Sequence, residues 1–359
     1  MKKSVVVAMS GGVDSSVAAA LLLEQGYDVT GMMLRLWSEP GKEAWNRCCT
    51  PDSMAMARRV AARLDIPFYV VDAKRVFRET VVQYFLEGYA AGLTPNPCLV
   101  CNRQIRWRFL LDHALALGAD FLATGHYART SRDEKGQVRL LRAVDEDKDQ
   151  SYVLHGLTQE KLRCTLFPLG EYRKAEVRQK AEALGLPVYK RPDSQDLCFL
   201  AGEDYRAFLR RHAPEASRPG DIVNRKGELL GRHSGLPNYT IGQRKGLGIR
   251  FPAPLYVLDK EAATNTLVVG QAHELGATRL LAGEVNWVSG AMPESTFRAW
   301  VKIRYTARAT PAEVCLLEGG QQVEVRFDVP QRDITPGQSA VFYVGDEVMG
   351  GGVILSSFV

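Results

Sequence analysis

Residues 3 to 26, KSVVVAMSGGVDSSVAAALLLEQG, constrain the fold more than any other stretch. KSVVVAM is a continuous apolar run of strand length, as expected for a strand buried on both faces. VDSSVAAALLLEQG follows at once as an apolar helix ending near Gly26. A buried strand that feeds directly into a buried helix is half of a βαβ unit. Parallel neighbours need such crossovers, so the unit predicts a parallel sheet. The pattern repeats with a strand at VTGMMLRLW, a helix at DSMAMARRVAARL, a strand at PFYVVD and a helix at FRETVVQYFLEGYAAG. A helix at QIRWRFLLDHALALG, a strand at DFLATG and a helix at EYRKAEVRQKAEALG continue it. The expected class is α/β, an N-terminal doubly wound parallel sheet with ligands at the carboxyl ends of its strands.

Near residue 203 the character changes. A short helix, GEDYRAFLRRH, leads into HAPEASRPGD, a linker by composition. Glycine-punctuated short strands follow at LYVLDKEAATNTLVVGQ, FRAWVKIRYTA, QQVEVRFDVP and QSAVFYVGDEVMGGGVIL, predicting small, mainly β domains. The expected division is a catalytic domain over 1–202, a central β-rich domain over 203–276 and a C-terminal domain over 277–359.

No apolar run is long enough to span a bilayer. The opening MKKSVVVAM has two lysines before apolar residues, but the run is too short for a signal peptide, so a cytoplasmic protein is expected. Seven cysteines at irregular spacings exclude a secreted disulfide framework. A net charge of +5 is compatible with a nucleic-acid partner without requiring one. Arg103, Arg106 and Arg108, with Arg244, Lys245, Lys302 and Arg304, are the candidate basic set.

In AMSGGVDSS, Gly11 and Gly12 allow a tight turn and close approach of a ligand. Amide groups at the helix start attract anions, and Ser10, Ser15 and Ser16 add hydroxyl donors. Asp14 is placed to help position Mg²⁺ on phosphates. The loop is neither a Walker A nor a dinucleotide-binding sequence. Leu34 ends the second strand where an adenine could pack, and Gly125 and His126 follow another strand end.

TPNPCLVCNRQIRW carries Cys98 and Cys101, and DSQDLCF carries Cys198. A Cys-x-x-Cys pair can bind zinc, anchor an iron–sulfur cluster, cycle as a redox pair or carry sulfur. Cys48 and Cys49 are loop residues or could complete a zinc site with Cys98 and Cys101. Adjacent cysteines are poor zinc spacing, however, and a second C-x-x-C is absent. Cys164 and Cys315 sit in apolar surroundings, as packing residues do.

SGGVDSS resembles the loop of ATP pyrophosphatases, which cleave ATP to AMP and pyrophosphate while adenylating an oxygen. Over essentially the whole chain, SGGVDSS, TPNPC-x-x-CN, ATGHYAR, DKDQSYVL, DSQDLCF, YTIGQRKGLG, KIRY, TPGQSAVFY and GGGVI resemble the bacterial tRNA-specific 2-thiouridylases. That family replaces the C2 oxygen of the wobble uridine with sulfur in tRNAs for Lys, Glu and Gln. The resemblance implies an adenine nucleotide alpha hydrolase-like N-terminal fold and two small β domains, the last a β-barrel. It implies that Ala8, Met9, Ser10, Gly11, Gly12, Val13, Asp14 and Ser15 line ATP phosphates, with Leu34 and Gly125 also touching ATP. Asn96, Pro97 and Cys98 would approach the target base. Cys101 would be the nucleophile and Cys198 the persulfide carrier. His126, Lys148, Asp149, Gln150, Arg304, Tyr305 and Gln338 would contact tRNA. Implied partners are tRNA and a cysteine desulfurase or a sulfur-relay protein.

These parts suit the chemistry. The uridine C2 oxygen cannot leave unless adenylated, and a cysteine with a pKa of about 8.5 is mostly thiol at neutral pH. A persulfide on Cys198 is more acidic. Resolution by Cys101 would leave a Cys101–Cys198 disulfide for a reductant to reopen. Some family members have Asp where this chain has Cys98, and there it is a candidate acid–base group. Cys98, Cys101 and Cys198 could instead ligate a [4Fe–4S] cluster with one open iron. The rival functions are another ATP pyrophosphatase-type ligase and a non-catalytic tRNA-binding protein.

Overall fold

The computed structural model describes residues 2–42, 50–193 and 197–358. Strands β1 (Ser4–Ala8), β2 (Asp28–Arg35), β3 (Phe68–Asp72), β4 (Phe121–Ala123) and β7 (Thr165–Leu166) form one sheet in the order β3-β2-β1-β4-β7. Every neighbouring pair in it is parallel. Successive β1 side chains point to opposite faces. Val5 and Val7 join helix α1 (Val13–Glu24) and Val177 and Ala181 of the helix Lys174–Ala183 in one core. Val6 joins Trp107 and Leu110 in another. Helices thus cover both faces, as the alternation predicts. The strand order reverses at β1, with β2 on one side and β4 on the other, which opens a crevice at the carboxyl ends of β1 and β4.

One helix begins earlier than the sequence pattern suggests. It runs through Pro97–Val100, Cys101–Leu110 and Leu111–Ala116 without a break, and its middle part is π-helical. Its start is set by Asn96, whose Oδ1 accepts from the Cys98 N–H at 3.2 Å, and by Pro97 at the first helical position. Cys98 and Cys101 therefore lie on the first turns of a helix, not in the loop before it.

In the central domain β8 (Gly220–Val223), β9 (Leu229–His233), β10 (Tyr256–Glu261) and β11 (Thr266–Gly270) form a sheet in the order β10-β11-β8-β9. Its core is Ile222, Val257, Leu267 and Val269. The C-terminal strands are β12 (Ala277–Trp287), β13 (Thr296–Lys302), β14 (Thr310–Leu317), β15 (Gln322–Gln331), β16 (Ser339–Val344) and β17 (Glu347–Phe358). They pair in the order β12-β15-β14-β13-β16-β17, and a β12–β17 pairing closes them into a barrel.

A hairpin absent from the sequence expectations, β5 (Arg129–Arg132) and β6 (Val138–Leu141), leaves the nucleotide-side domain and joins the barrel sheet. Leu141 pairs with Glu347, and the Arg142 N–H donates to the Asp346 carbonyl at 2.9 Å. The barrel is tied down again where Tyr152 Oη donates to the Ser339 carbonyl at 2.9 Å. Asn286 Nδ2 donates to the His155 carbonyl at 2.7 Å.

Candidate nucleotide and thiol site

The turn after β1 is held open by its glycines. Gly11 has φ +72°, and a Cβ there would lie 2.2 Å from the Ser53 carbonyl oxygen. Gly12 caps α1 in extended backbone with no side-chain acceptor on the first N–H groups. These donors face the crevice that the strand order opens. Gly125 closes the other side: a Cβ on it would come 2.8 Å from Ser15 N. Ser15 Oγ accepts from Ser10 N–H at 3.2 Å, which fixes the loop's shape. Met9 is buried and its N–H donates to the Met32 carbonyl, so Ala8 and Met9 can offer a ligand little beyond backbone.

Asp14, the residue expected beside Mg²⁺, is engaged here by other side chains. Its Oδ1 accepts from Tyr127 Oη at 2.8 Å and from Lys174 Nζ at 2.7 Å, and its Oδ2 accepts from Lys174 Nζ at 2.8 Å. Lys174 also reaches Asp193 Oδ1 at 2.9 Å, and Asp193 is shared with Lys148 at 2.9 Å and Arg178 at 2.7 Å. Burial acts to raise the Asp193 carboxyl, but the hydrogen bonds from Lys174 and Lys148 prevail and hold it at about 2. Arg191 donates to the Gly11 carbonyl at 3.1 Å and to Ser53 Oγ at 2.9 Å. Sequence reasoning missed Lys174, Arg191 and Asp193. The only signal was a lysine at the start of a predicted helix.

Cys101 and Cys198 pack against one apolar cluster built from Phe77, Phe85, Ile105, Phe199 and Phe208, and Leu34 packs against it too. The expected nucleophile, sulfur carrier and adenine-side leucine therefore pack against the same cluster. Cys98, on the same helix, is exposed. Among the described residues, no three His, Cys, Asp or Glu side chains are grouped so as to hold a metal ion. Cys48 and Cys49 lie outside the described residues.

The residues expected at tRNA divide into two groups. Tyr305 is 41% exposed and stands close enough to Cys98 for a thiolate there to raise its phenol pKa, after burial and Asp149. Lys302 lies 5.5 Å from the centre of the Tyr305 ring. Gln338 Nε2 donates to the Thr94 carbonyl at 2.7 Å, and the Thr94 N–H donates to the Pro336 carbonyl, so barrel residues grip the loop before Asn96. Arg304 is bound to Thr335 and lies 3.4 Å from the Ile241 carbonyl, at the junction of barrel and central domain.

The second group is turned inward. Asp149 is buried, and its oxygens accept from the Ala143 and Ser151 N–H groups and from Ser151 Oγ. Gln150 Oε1 accepts from the Tyr127 N–H at 3.0 Å, and Lys148 is paired with Asp193. His126 is 6% exposed. Its Nε2 accepts from Arg106 at 2.8 Å, so its Nδ1–H donates to Thr124 Oγ1, also at 2.8 Å. Burial, then the Arg106 charge, push its pKa well below 6.5, and the ring is neutral. Arg106 continues to Asn102 Oδ1 at 3.1 Å, and Asn102 Nδ2 donates to the Val153 carbonyl at 2.9 Å. In this arrangement His126 links the β4 end to the cysteine helix.

Family models described as tRNA methyl transferase HUP domain, tRNA methyl transferase PRC-barrel domain and aminomethyltransferase beta-barrel domain match residues 3–202, 206–271 and 277–354. The tRNA-specific 2-thiouridylase MnmA of Roseiflexus castenholzii is 51% identical over 366 residues, 98% of each chain. That of Heliobacterium modesticaldum is 49% identical, covering 99% of this chain and 93% of its own. That of Desulfitobacterium hafniense is 46% identical, covering 99% of both.

Proposed function

The chain belongs to the tRNA-specific 2-thiouridylase family, and from that premise we propose how its residues divide the reaction. It is an ATP-dependent tRNA-uridine 2-sulfurtransferase. ATP binds with its phosphates on the Ser10–Ser15 loop and its adenine toward Leu34. The C2 oxygen of the wobble uridine attacks the α-phosphorus, and pyrophosphate leaves with the electrons of the broken P–O bond. The C2–O–AMP group so formed is a leaving group, which oxide is not.

Cys198 carries the sulfur as a persulfide. Its terminal sulfur attacks C2 and AMP departs. The Cys101 thiolate then attacks Cys198 Sγ and breaks the S–S bond, whose electrons stay on the sulfur now bound to C2. The products are 2-thiouridine and a Cys101–Cys198 disulfide, which an external dithiol reduces. The observation that carries this reading is that Cys101, Cys198 and Leu34 pack against one apolar cluster.

The anticodon loop is single-stranded, so its base can be splayed out and read on its edges. Tyr305, exposed beside Cys98, offers a face on which a base can stack. The tRNAs for Lys, Glu and Gln are the substrates, and the sulfur comes from a cysteine desulfurase directly or through a relay protein. The test is single-turnover thiolation of unmodified tRNA, with AMP release followed in parallel. Cys198→Ser is expected to abolish thiolation while adenylation persists. Thiolation retained in Cys198→Ser overturns the sulfur route.

A further inference from the structure

Between Ala8 and Ser16 the phosphate loop has one charged side chain, and it is Asp14. A carboxylate is a poor neighbour for a triphosphate unless a cation stands between them. The structure provides that cation from a distant part of the chain. Lys174 opens the helix Lys174–Ala183, and its backbone N–H is fixed by Asp145 Oδ2 at 2.8 Å. Its side chain is only 12% exposed and runs beside the Tyr127 ring, 5.8 Å from the centroid, to both oxygens of Asp14.

We infer that Lys174 is the ammonium that binds the ATP phosphates at this loop, and that Asp14 holds this ammonium in place instead of a metal ion. The inference rests on the nucleotide reading of the loop and deepens it. Three features support it. Asp14 lies in the first turn of α1, beside the Ser15 N–H that Gly125 keeps uncovered, so a cation on its carboxylate stands at the anion-attracting end of the helix. Lys174 Nζ contacts both Asp14 oxygens and Asp193 Oδ1, so it can give up one contact to a phosphate oxygen and keep others. The other carboxylate on the lysine, Asp193, keeps Lys148 and Arg178 when Lys174 shifts, so movement toward a ligand leaves no buried charge unpaired.

The same ammonium is placed for chemistry. When the α–β P–O bond breaks, the new negative charge falls on the departing pyrophosphate, and a fixed cation beside the loop stabilises that charge.

The test is calorimetric binding of α,β-methylene-ATP with Mg²⁺ to the full-length chain and three variants. Lys174→Met is expected to weaken binding by about tenfold or more. Lys174→Gln keeps a donor without the charge and is expected to bind as weakly, which carries the test if the Met variant does not melt cooperatively. The double variant Asp14→Asn/Lys174→Met separates a direct contact from mere masking of Asp14, and it is expected to stay weak. Binding by Lys174→Met and Lys174→Gln within about twofold of wild type overturns the inference, as does wild-type affinity in the double variant. Wild-type protein that melts cooperatively yet fails to bind the analogue instead overturns the nucleotide reading of the loop itself.

Discussion

Cys101 and Cys198, far apart in the chain, lean on the same apolar cluster. Cys101 comes from the second turn of a helix and Cys198 from the short turn Cys198–Leu200. The two thiols that the proposed route brings together thus pack against the same cluster. Cys101→Ser is expected to accept sulfur on Cys198 and to adenylate tRNA, yet to turn over below about 1% of the wild-type rate. Mass spectrometry of the stalled protein should find the added sulfur on the Cys198 peptide.

His126 is buried and links elements of the fold. His126→Ala is expected to leave tRNA affinity within about twofold of wild type while lowering the single-turnover thiolation rate at least about tenfold. His126→Gln, which can still accept from Arg106, should recover part of that rate. A large rise in the tRNA dissociation constant with unchanged turnover would return His126 to the RNA surface.

Three buried histidines, His126, His155 and His233, have their pKa values lowered by burial and set an acid limit on stability. Burial pushes His155 to about 4, against the raising effect of its hydrogen bond to the Tyr152 carbonyl, and His126 also lies well below 6.5. A lowered folded pKa means that the unfolded chain takes up the proton first. Stability present above pH about 6.5 is therefore lost as pH falls toward 4, with about 3 kcal/mol from His155. Chemical denaturation between pH 7 and 4.5 checks this, and replacing His155 should flatten the slope.

Gly125 faces the start of α1 with no room for a methyl group. An added Cβ would stand 2.8 Å from Ser15 N and 2.9 Å from the carbonyl carbon of Asp14. Gly125→Ala is expected to push against both and to cost about 1–3 kcal/mol, with weaker nucleotide binding. Thermal melting with and without α,β-methylene-ATP separates the two effects.

Gln338 grips the Thr94 carbonyl across the barrel junction. Gln338→Ala is expected to cost about 1 kcal/mol of stability. It should also speed hydrogen exchange in the segment 92–96, with tRNA affinity falling only as that loop loosens.

The parallel sheet was legible because its cue is local: each apolar strand runs into its own helix. The phosphate loop was legible for the same reason, since Gly11, Gly12 and Asp14 are neighbours in sequence. The start of the cysteine helix was also written locally, in Asn96-Pro97, but the pair reads equally as a turn until the Cys98 N–H is seen on Asn96 Oδ1. What stayed hidden depends on long-range meetings. Lys174 has no meaning without Asp14 and Asp193, and nothing near Asp149 or His126 announces that they face inward. A polar motif beside a site looks the same whether it touches the ligand or props up the residue that does.

The hairpin β5–β6 has a consequence for how the chain is made. It leaves the ribosome long before Glu347, its partner on β17. Until then β6 presents an unpaired edge, a template for any passing strand. Its Arg139 is the kind of charged residue that protects such an edge during the wait. The nucleotide-side domain therefore reaches its finished form only when the C-terminal barrel closes, so a nascent or truncated chain is exposed to misassembly at this edge.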